Sequence, residues 1–504
     1  MLFNSYEFIL LFLPVCLLIY YKLSFLNISY ALTWLVFSSL IFYGWWNPAY
    51  LLLLVTSITF NYIIGYYLTK SSSRLLLILG ITLNLALLGY YKYSFFLVTN
   101  IDVLFNTNWN IDNIVLPLAI SFFTFQQITY IVDAYHNEAH EYNFLHYCLF
   151  VTFFPQLIAG PIVHHKEMMP QFENNKKLRE IYANLAPGLS LFTLGLCKKV
   201  LIADSIARYA NIAFDATASG ITLSFIEAWR GAASYTFQLY FDFSGYSDMA
   251  IGLALMFGIR LPMNFNSPYK ATNIIDFWRR WHMTLSHFLR DYVYITLGGN
   301  RKGKTRRYLN LLITMLLGGL WHGAAWTFVF WGFLHGLYLI INHAWRWLRA
   351  QVGLSHDATS SIGKFFARVI TLMAVIIAWV FFRSESFDSA IIMLKGMSGV
   401  YGFILPESLQ EKLGSVSHLI TAVGWKFGYM EYSKGLKDVL VMFLFTLAVW
   451  YLPNTQEIIL KDNQASASRI YWRPNIIWSA GLSLLLLLAI LRLSNFSEFL
   501  YFQF

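Results

Sequence analysis

Charge is what this chain has least of. Asp, Glu, Lys and Arg make up 12% of its 504 residues, where ordinary soluble domains carry about a quarter. That scarcity argues against a water-soluble enzyme, and no polar stretch has the length and apolar content of an independent soluble core. The three cysteines, Cys16, Cys148 and Cys197, all fall in apolar segments at no metal-like spacing, which reads as packing. A clear internal repeat is missing, which weakens the case for a secondary transporter. A Ser nucleophile elbow, a P-loop and a dinucleotide fingerprint are missing too. An enzyme built on this chain would use His as a base, not Ser as a covalent nucleophile. The first apolar run lacks a basic leader: Glu7 precedes it and Lys22 follows. It does not read as a cleavable signal, and it weakly suggests an outside N-terminus.

What the chain has instead is apolar length. Hydrophobic residues are 58% of the sequence and the mean hydropathy is +0.54. Apolar stretches recur from Phe8–Tyr21 and Ile28–Trp46 through Ala232–Phe257 and Leu309–Ile341 to Ile476–Leu491. Several are cut by Gly or Pro. They imply an all-α polytopic membrane protein with about 11 to 13 transmembrane or re-entrant helices. Aromatics reach 18%, with many Trp and Tyr near segment ends, as interfacial belts require. The run Gly299–Tyr308 holds Arg301, Lys302, Lys304, Arg306 and Arg307 and no acid, which assigns it to the cytoplasmic side. The net charge of +10 fits such loops against anionic lipid and gives no reason to invoke nucleic acid.

The most informative stretch is Leu316–Trp326, which sets His322 inside an apolar run. An ionisable residue at membrane depth is a functional-site hypothesis by default. The run Leu309–Ile341 has 33 residues, where one span needs about 20 and two need about 40. A broken hairpin is expected, with its break at Gly318, Gly319 and Gly323. Irregular backbone there must be packed in protein or line a wet cavity. A histidine that merely bonds across a helix crossing stands equally open.

Further along, Ile274, Phe277, Trp278, Trp281, Leu285, Phe288 and Tyr292 recur at helical spacing. They predict one amphipathic helix at the cytoplasmic interface, with Arg279, Ser286 and Arg290 opposite and His282 at the stripe's border. A surface helix with an incidental histidine is the plainer reading. Within Ala232–Phe257, Tyr240, Asp242, Ser244, Tyr246, Ser247 and Asp248 crowd into nine residues. Buried carboxylates are costly unless paired, so this cluster is expected to line a polar cavity, cap a broken helix, or form a satisfied turn between half-helices. Pro155 and Pro161 around Gly160 predict a helix break. Asp133, His136 and His140 have a metal-like spacing but read as a solvated helix end.

Taken together, Pro155-Gln-Leu-Ile-Ala-Gly-Pro161, Tyr240-Phe-Asp-Phe-Ser-Gly-Tyr-Ser-Asp248, Phe277-Trp-Arg-Arg-Trp-His-Met-Thr-Leu-Ser286 and Gly319-Leu-Trp-His-Gly323 resemble the membrane-bound O-acyltransferases, in their bacterial exopolysaccharide branch. The opening Met1–Ile9 and the ending Glu498–Phe504 share the resemblance, which is weakest across Ser398–Lys437. It implies one membrane-embedded domain over 1–504, with a catalytic core at about 115–345 and accessory helices at about 362–504. It implies helices around a central tunnel, a catalytic His322, and a second signature position at His282.

It also implies a route. Acetyl groups would pass from a cytoplasmic donor, acetyl-CoA, to an extracytoplasmic acetyltransferase partner that modifies an exported polysaccharide such as alginate. The location would be the bacterial inner membrane. No metal and no tightly bound cofactor is expected. In that frame His322 acts as base, and His282 or freed backbone N–H groups stabilise the oxyanion. Trp321, Tyr240, Asp242, Ser244, Asp248, Arg279 and Arg280 are candidate substrate-binding residues. Arg279, Arg280 and the run Arg301–Arg307 would hold CoA phosphates, beside the simple positive-inside explanation. Acetylation of peptidoglycan or cellulose, D-alanyl transfer to teichoic acid, and a non-catalytic polymer transporter remain as rivals.

Overall fold

A chain this apolar must satisfy its backbone N–H and C=O groups within each segment, and helices do so. The computed structural model describes residues 1–109, 114–139, 143–158, 160–173, 180–355, 360–430, 432, 436–460, 470–494 and 500. Among them nearly all of the regular secondary structure is helical. The one sheet is a two-stranded parallel ladder, Ile404–Pro406 against Lys426–Gly428. Five helices among the described residues are long and apolar enough to cross a membrane: Glu7–Leu26, Ala49–Ser71, Arg74–Phe105, Ile181–Ala218 and Ser361–Arg383. Ile28–Gly44 and Ile476–Arg492 are apolar but shorter. The multi-pass, all-α architecture expected from the sequence is the one observed.

Contacts divide the chain into two units. The first comprises Met1–Val200, Ser244–Asn264 and Thr455–Phe504. Its opening helices pair as a hairpin, and Phe3, Phe8, Phe42 and Phe154 pack ring against ring. A polar knot joins three helices: the Asn61 amide donates to Gln127 Oε1 at 2.7 Å, and the Asn84 amide donates to Asn61 Oδ1 at 2.6 Å. Hydrogen bonds of this kind tie helices together where lipid supplies no hydrophobic drive. Helix Phe144–Thr152 ends at Phe153, and a short helix Phe154–Leu157 follows, so the break expected around Pro155 is present.

The second unit comprises Leu201–Phe243 and Phe265–Asn454. Its centre is the hairpin of helices Gly303–His322 and Trp326–Gln351, joined by three residues. Helix Ser361–Arg383 packs on that hairpin. A buried ion pair, Arg230 Nη1 to Asp438 Oδ2 at 2.7 Å, ties helix Leu436–Tyr451 into the same unit.

Three expectations are corrected. Helix Gly303–His322 runs unbroken through Gly318 and Gly319, and the break comes only at Gly323. Gly319 serves close packing: a Cβ there would lie 2.3 Å from the Phe328 carbonyl oxygen. The Tyr240–Asp248 cluster does not interrupt a helix either. It lies in the continuous 32-residue helix Phe225–Met256. Gly245 is there for a crossing, since its Cβ would meet Gly195 O at 2.7 Å. Lastly, the stripe from Ile274 is not one helix. It forms Ile274–Trp278 and Met283–Phe288, with a turn between them.

Candidate functional site

That turn is made by His282. Its backbone takes φ 42°, ψ 54°, the left-handed region, which is sparsely populated by residues other than Gly, with His, Asn and Asp enriched among the exceptions. Strain of this kind persists only where the surroundings hold it, and it concentrates at functional sites. The turn rotates the chain so that Ile274, Phe277 and Trp278 on one helix, Trp281 in the turn, and Leu285 and Phe288 on the next are all buried. His282 itself is fully buried, not at a border. Its ring stands perpendicular to Phe243 at 4.9 Å and lies 6.1 Å from Trp321.

His322 is the last residue of its helix. Gly323 then leaves helical geometry at φ −166°, ψ 150°, and the next helix begins at Trp326. The hairpin closes tightly at three glycines. A Cβ on Gly332 would lie 2.3 Å from Met315 O, and one on Gly323 would lie 2.2 Å from the Phe328 ring. This closeness brings His322 against aromatic rings: Trp321 at 4.9 Å, Trp331 at 5.0 Å and Phe382 at 5.1 Å. His322 is 2% exposed. Thus His282, His322 and Trp321 form one contiguous group of rings in the second unit.

A basic cavity of about 370 Å³ lies in the same unit. Arg279, Arg290 and Arg307 line it, with Ser286, His287 and His343. Its apolar wall includes Trp278, Leu289, Met315 and Leu339. Arg307 lies within hydrogen-bond distance of the His343 ring nitrogens, at 3.1 Å, and Arg290 is bound bidentately by Asp291. Burial, and then the Arg290 charge, holds the His287 imidazole below its ordinary range, with Asp291 opposing. An anion entering the cavity would favour the protonated form. Three guanidiniums beside an apolar wall suit an amphiphile with a phosphate group.

The neighbouring arginine behaves differently. Arg280 donates to Asp276 at 2.8 Å and to Asn266 O at 3.2 Å. Of the run Arg301–Arg307, only Arg307 lines the cavity, while Arg301, Lys302, Lys304 and Arg306 are exposed. Tyr240 and Asp242 are buried on helix Phe225–Met256 in the second unit, and Tyr240 packs on Phe265 and Tyr269. Ser244 and Asp248 belong to the first unit. There Asp248 receives Lys198 at 2.6 Å, the Gln456 amide at 3.0 Å and the Thr455 hydroxyl. Among the described residues no group of His, Cys, Asp and Glu is arranged to hold a metal ion. His136 is exposed at a helix end, and His140 lies outside the described residues.

The sequence reading missed His287, His343 and His335. The first two sit among charges that positive-inside bias already explains. The last is fully buried four residues after Trp331, and that aromatic–imidazole spacing on an apolar helix was its only signal.

Comparison with known proteins bears on this geometry. The profile of the membrane-bound O-acyltransferase family matches residues 134–382, which takes in both histidines, Trp321 and the cavity. The chain is 42% identical to a peptidoglycan O-acetyltransferase of Helicobacter pylori, over all of this chain and 98% of that one. It is 42% identical to a probable alginate O-acetylase of Pseudomonas aeruginosa, over 79% of this chain and 75% of that one. A teichoic acid D-alanyltransferase of Bacillus subtilis matches at 30% identity, over 55% of this chain and 70% of its own. Full-length similarity at this level, with the family's profile over the histidine-bearing hairpin, makes this multi-pass membrane protein an acyltransferase that belongs to the membrane-bound O-acyltransferase family.

Proposed function

We propose that this protein carries acetyl groups from a cytoplasmic thioester, acetyl-CoA, across the bacterial inner membrane for O-acetylation of an exported polysaccharide. An extracytoplasmic acetyltransferase partner completes the transfer. The observation that carries this reading is the buried pair of imidazoles, His322 at a helix end and His282 in a strained turn, with Trp321 between them.

His322 takes the proton of an acceptor hydroxyl as that oxygen attacks the thioester carbonyl. The tetrahedral intermediate then collapses, the C–S bond breaks, and the leaving thiolate recovers the proton from the imidazolium. His282 donates to the oxyanion, a role that matters most where water is excluded. Arg279, Arg290 and Arg307 hold the donor's phosphates, with Trp278 along its apolar portion. Trp321, Tyr240 and Asp242 bound the acceptor's path. In the first unit Asp248 fixes Lys198.

The polymer is alginate or a similar exopolysaccharide in this reading. Peptidoglycan stands as the second, favoured by the relative of Helicobacter pylori matched over the full chain. The test compares acetyl ester on each exported polymer in wild type, a deletion strain and His322→Ala at equal membrane abundance. Loss of ester from one polymer in both mutants, with that polymer still exported, is the expected result and names the acceptor. Normal ester in His322→Ala would overturn the mechanism, and loss of the polymer itself would favour a transporter.

A further inference from the structure

One buried imidazole has no part in that chemistry. His335 is fully enclosed in helix Trp326–Gln351. The Trp278 indole Nε1–H donates to its Nδ1 at 3.2 Å. A ring that accepts at Nδ1 carries its proton on Nε2, so this bond selects one neutral tautomer. Nε2 meets no acceptor among the described residues. An apolar side chain would fill the same space without that desolvation cost. What the imidazole adds is its bond to Trp278.

Both sides of His335 lead to working parts of the site. Trp278 is a wall of the basic cavity. On the other side the His335 ring lies 4.7 Å from Trp331, and Trp331 stands perpendicular to His322 at 5.0 Å. Trp331 is held from behind by Trp379, stacked at 5.5 Å. One imidazole therefore backs the wall of the cavity and the ring that bounds His322.

We propose that His335 is a positioning residue for acyl transfer: by accepting from Trp278 and packing on Trp331, it fixes the donor cavity's wall and His322 in one relation. This rests on the roles given above to His322 and to the basic cavity. His335 touches no reacting atom; it acts through Trp278 and Trp331.

The test uses the full chain in lipid nanodiscs with acetyl-CoA as donor, reading kcat and donor KM. His335→Leu keeps volume but removes the acceptor, while His335→Asn offers an amide oxygen near the position of Nδ1. In His335→Leu, donor KM should rise and kcat should fall, each by about tenfold. His335→Asn should recover to within about threefold of wild type, a rescue that a mere packing role would not give. Trp278→Phe should reproduce the KM effect, and combining it with His335→Leu should add little to that effect, since both break one bond.

A folded His335→Leu with normal kcat and KM would overturn the proposal, as would fully additive KM effects in the double variant. Should His335→Leu fail to insert, His335→Asn with Trp278→Phe carries the same comparison. Activity retained in His322→Ala would instead defeat the reading beneath it. An inactive His322→Ala beside an unaffected His335→Leu would defeat this inference alone.

Discussion

His282 shows how one residue can be constrained twice. Its ring is enclosed by Phe243 and Trp321, and its backbone is left-handed. Asn tolerates that backbone, whereas a β-branched residue there costs about 1–2 kcal/mol more. His282→Asn should therefore keep the wild-type unfolding temperature within a few degrees while turnover falls at least about tenfold. His282→Val should lose membrane yield as well. Thermal unfolding of the solubilised protein beside turnover of acetyl-CoA, the proposed donor, checks both; full activity in His282→Asn would remove the imidazole from the chemistry. The apolar stripe alone reads this residue as an incidental histidine at its border, and only the resemblance carried by Phe277–Ser286 makes it a candidate. Its twist was not legible, since Ile274–Tyr292 reads as a continuous helical period whether or not a left-handed residue rotates it midway.

Among elements, the glycine seams decide the geometry. Helices Gly303–His322 and Trp326–Gln351 meet where Gly319 faces Phe328 O and Gly332 faces Met315 O. Helix Ile181–Cys197 crosses Phe225–Met256 in the same way, with Gly188 against Gly252 O and Gly195 against Gly245 O, each pair of glycines two helical turns apart. Small residues allow such close approach in membrane helices. Gly319→Ala would drive a Cβ into backbone, an overpacking that typically costs about 1–3 kcal/mol. Gly318→Ala meets only the tip of Leu289 at 3.1 Å. The first should lower unfolding temperature and turnover together, and the second should be close to wild type; equal effects would refute the seam. Sequence alone read Gly318, Gly319 and Gly323 as breaks, because a glycine lowers helix propensity whether or not a neighbour needs its missing side chain. Only Gly323, where the backbone turns extended, acts as the break.

At the scale of the molecule, buried charge pairs fasten distant parts of the chain within each unit. Lys198, Asp248, Thr455 and Gln456 meet in the first, and Arg230 and Asp438 in the second. Removing one partner of such a pair leaves a buried charge, a loss of about 3–5 kcal/mol, whereas apolar replacement of both is often tolerated. Asp248→Asn should thus reduce membrane abundance, and Lys198→Met with Asp248→Leu should restore it. Donor turnover in the restored double variant then separates structure from chemistry: normal kcat supports a fastening role, and a folded but inactive protein would make Asp248 part of the reaction. The family and the membrane class were legible at this scale, since apolar length and four ordered motifs span the chain. The polymer was not. Relatives of similar identity over most of the chain are named for alginate and for peptidoglycan.

The sequestered cysteines have a practical side. Cys16 and Cys197 are buried, and only Cys148 is half-exposed, in helix Phe144–Thr152. A chain with Cys148→Ser is therefore its own blank for maleimide labelling. A single cysteine introduced at exposed Arg301 or Lys304 would report, from intact cells against opened ones, which side of the membrane the basic run faces.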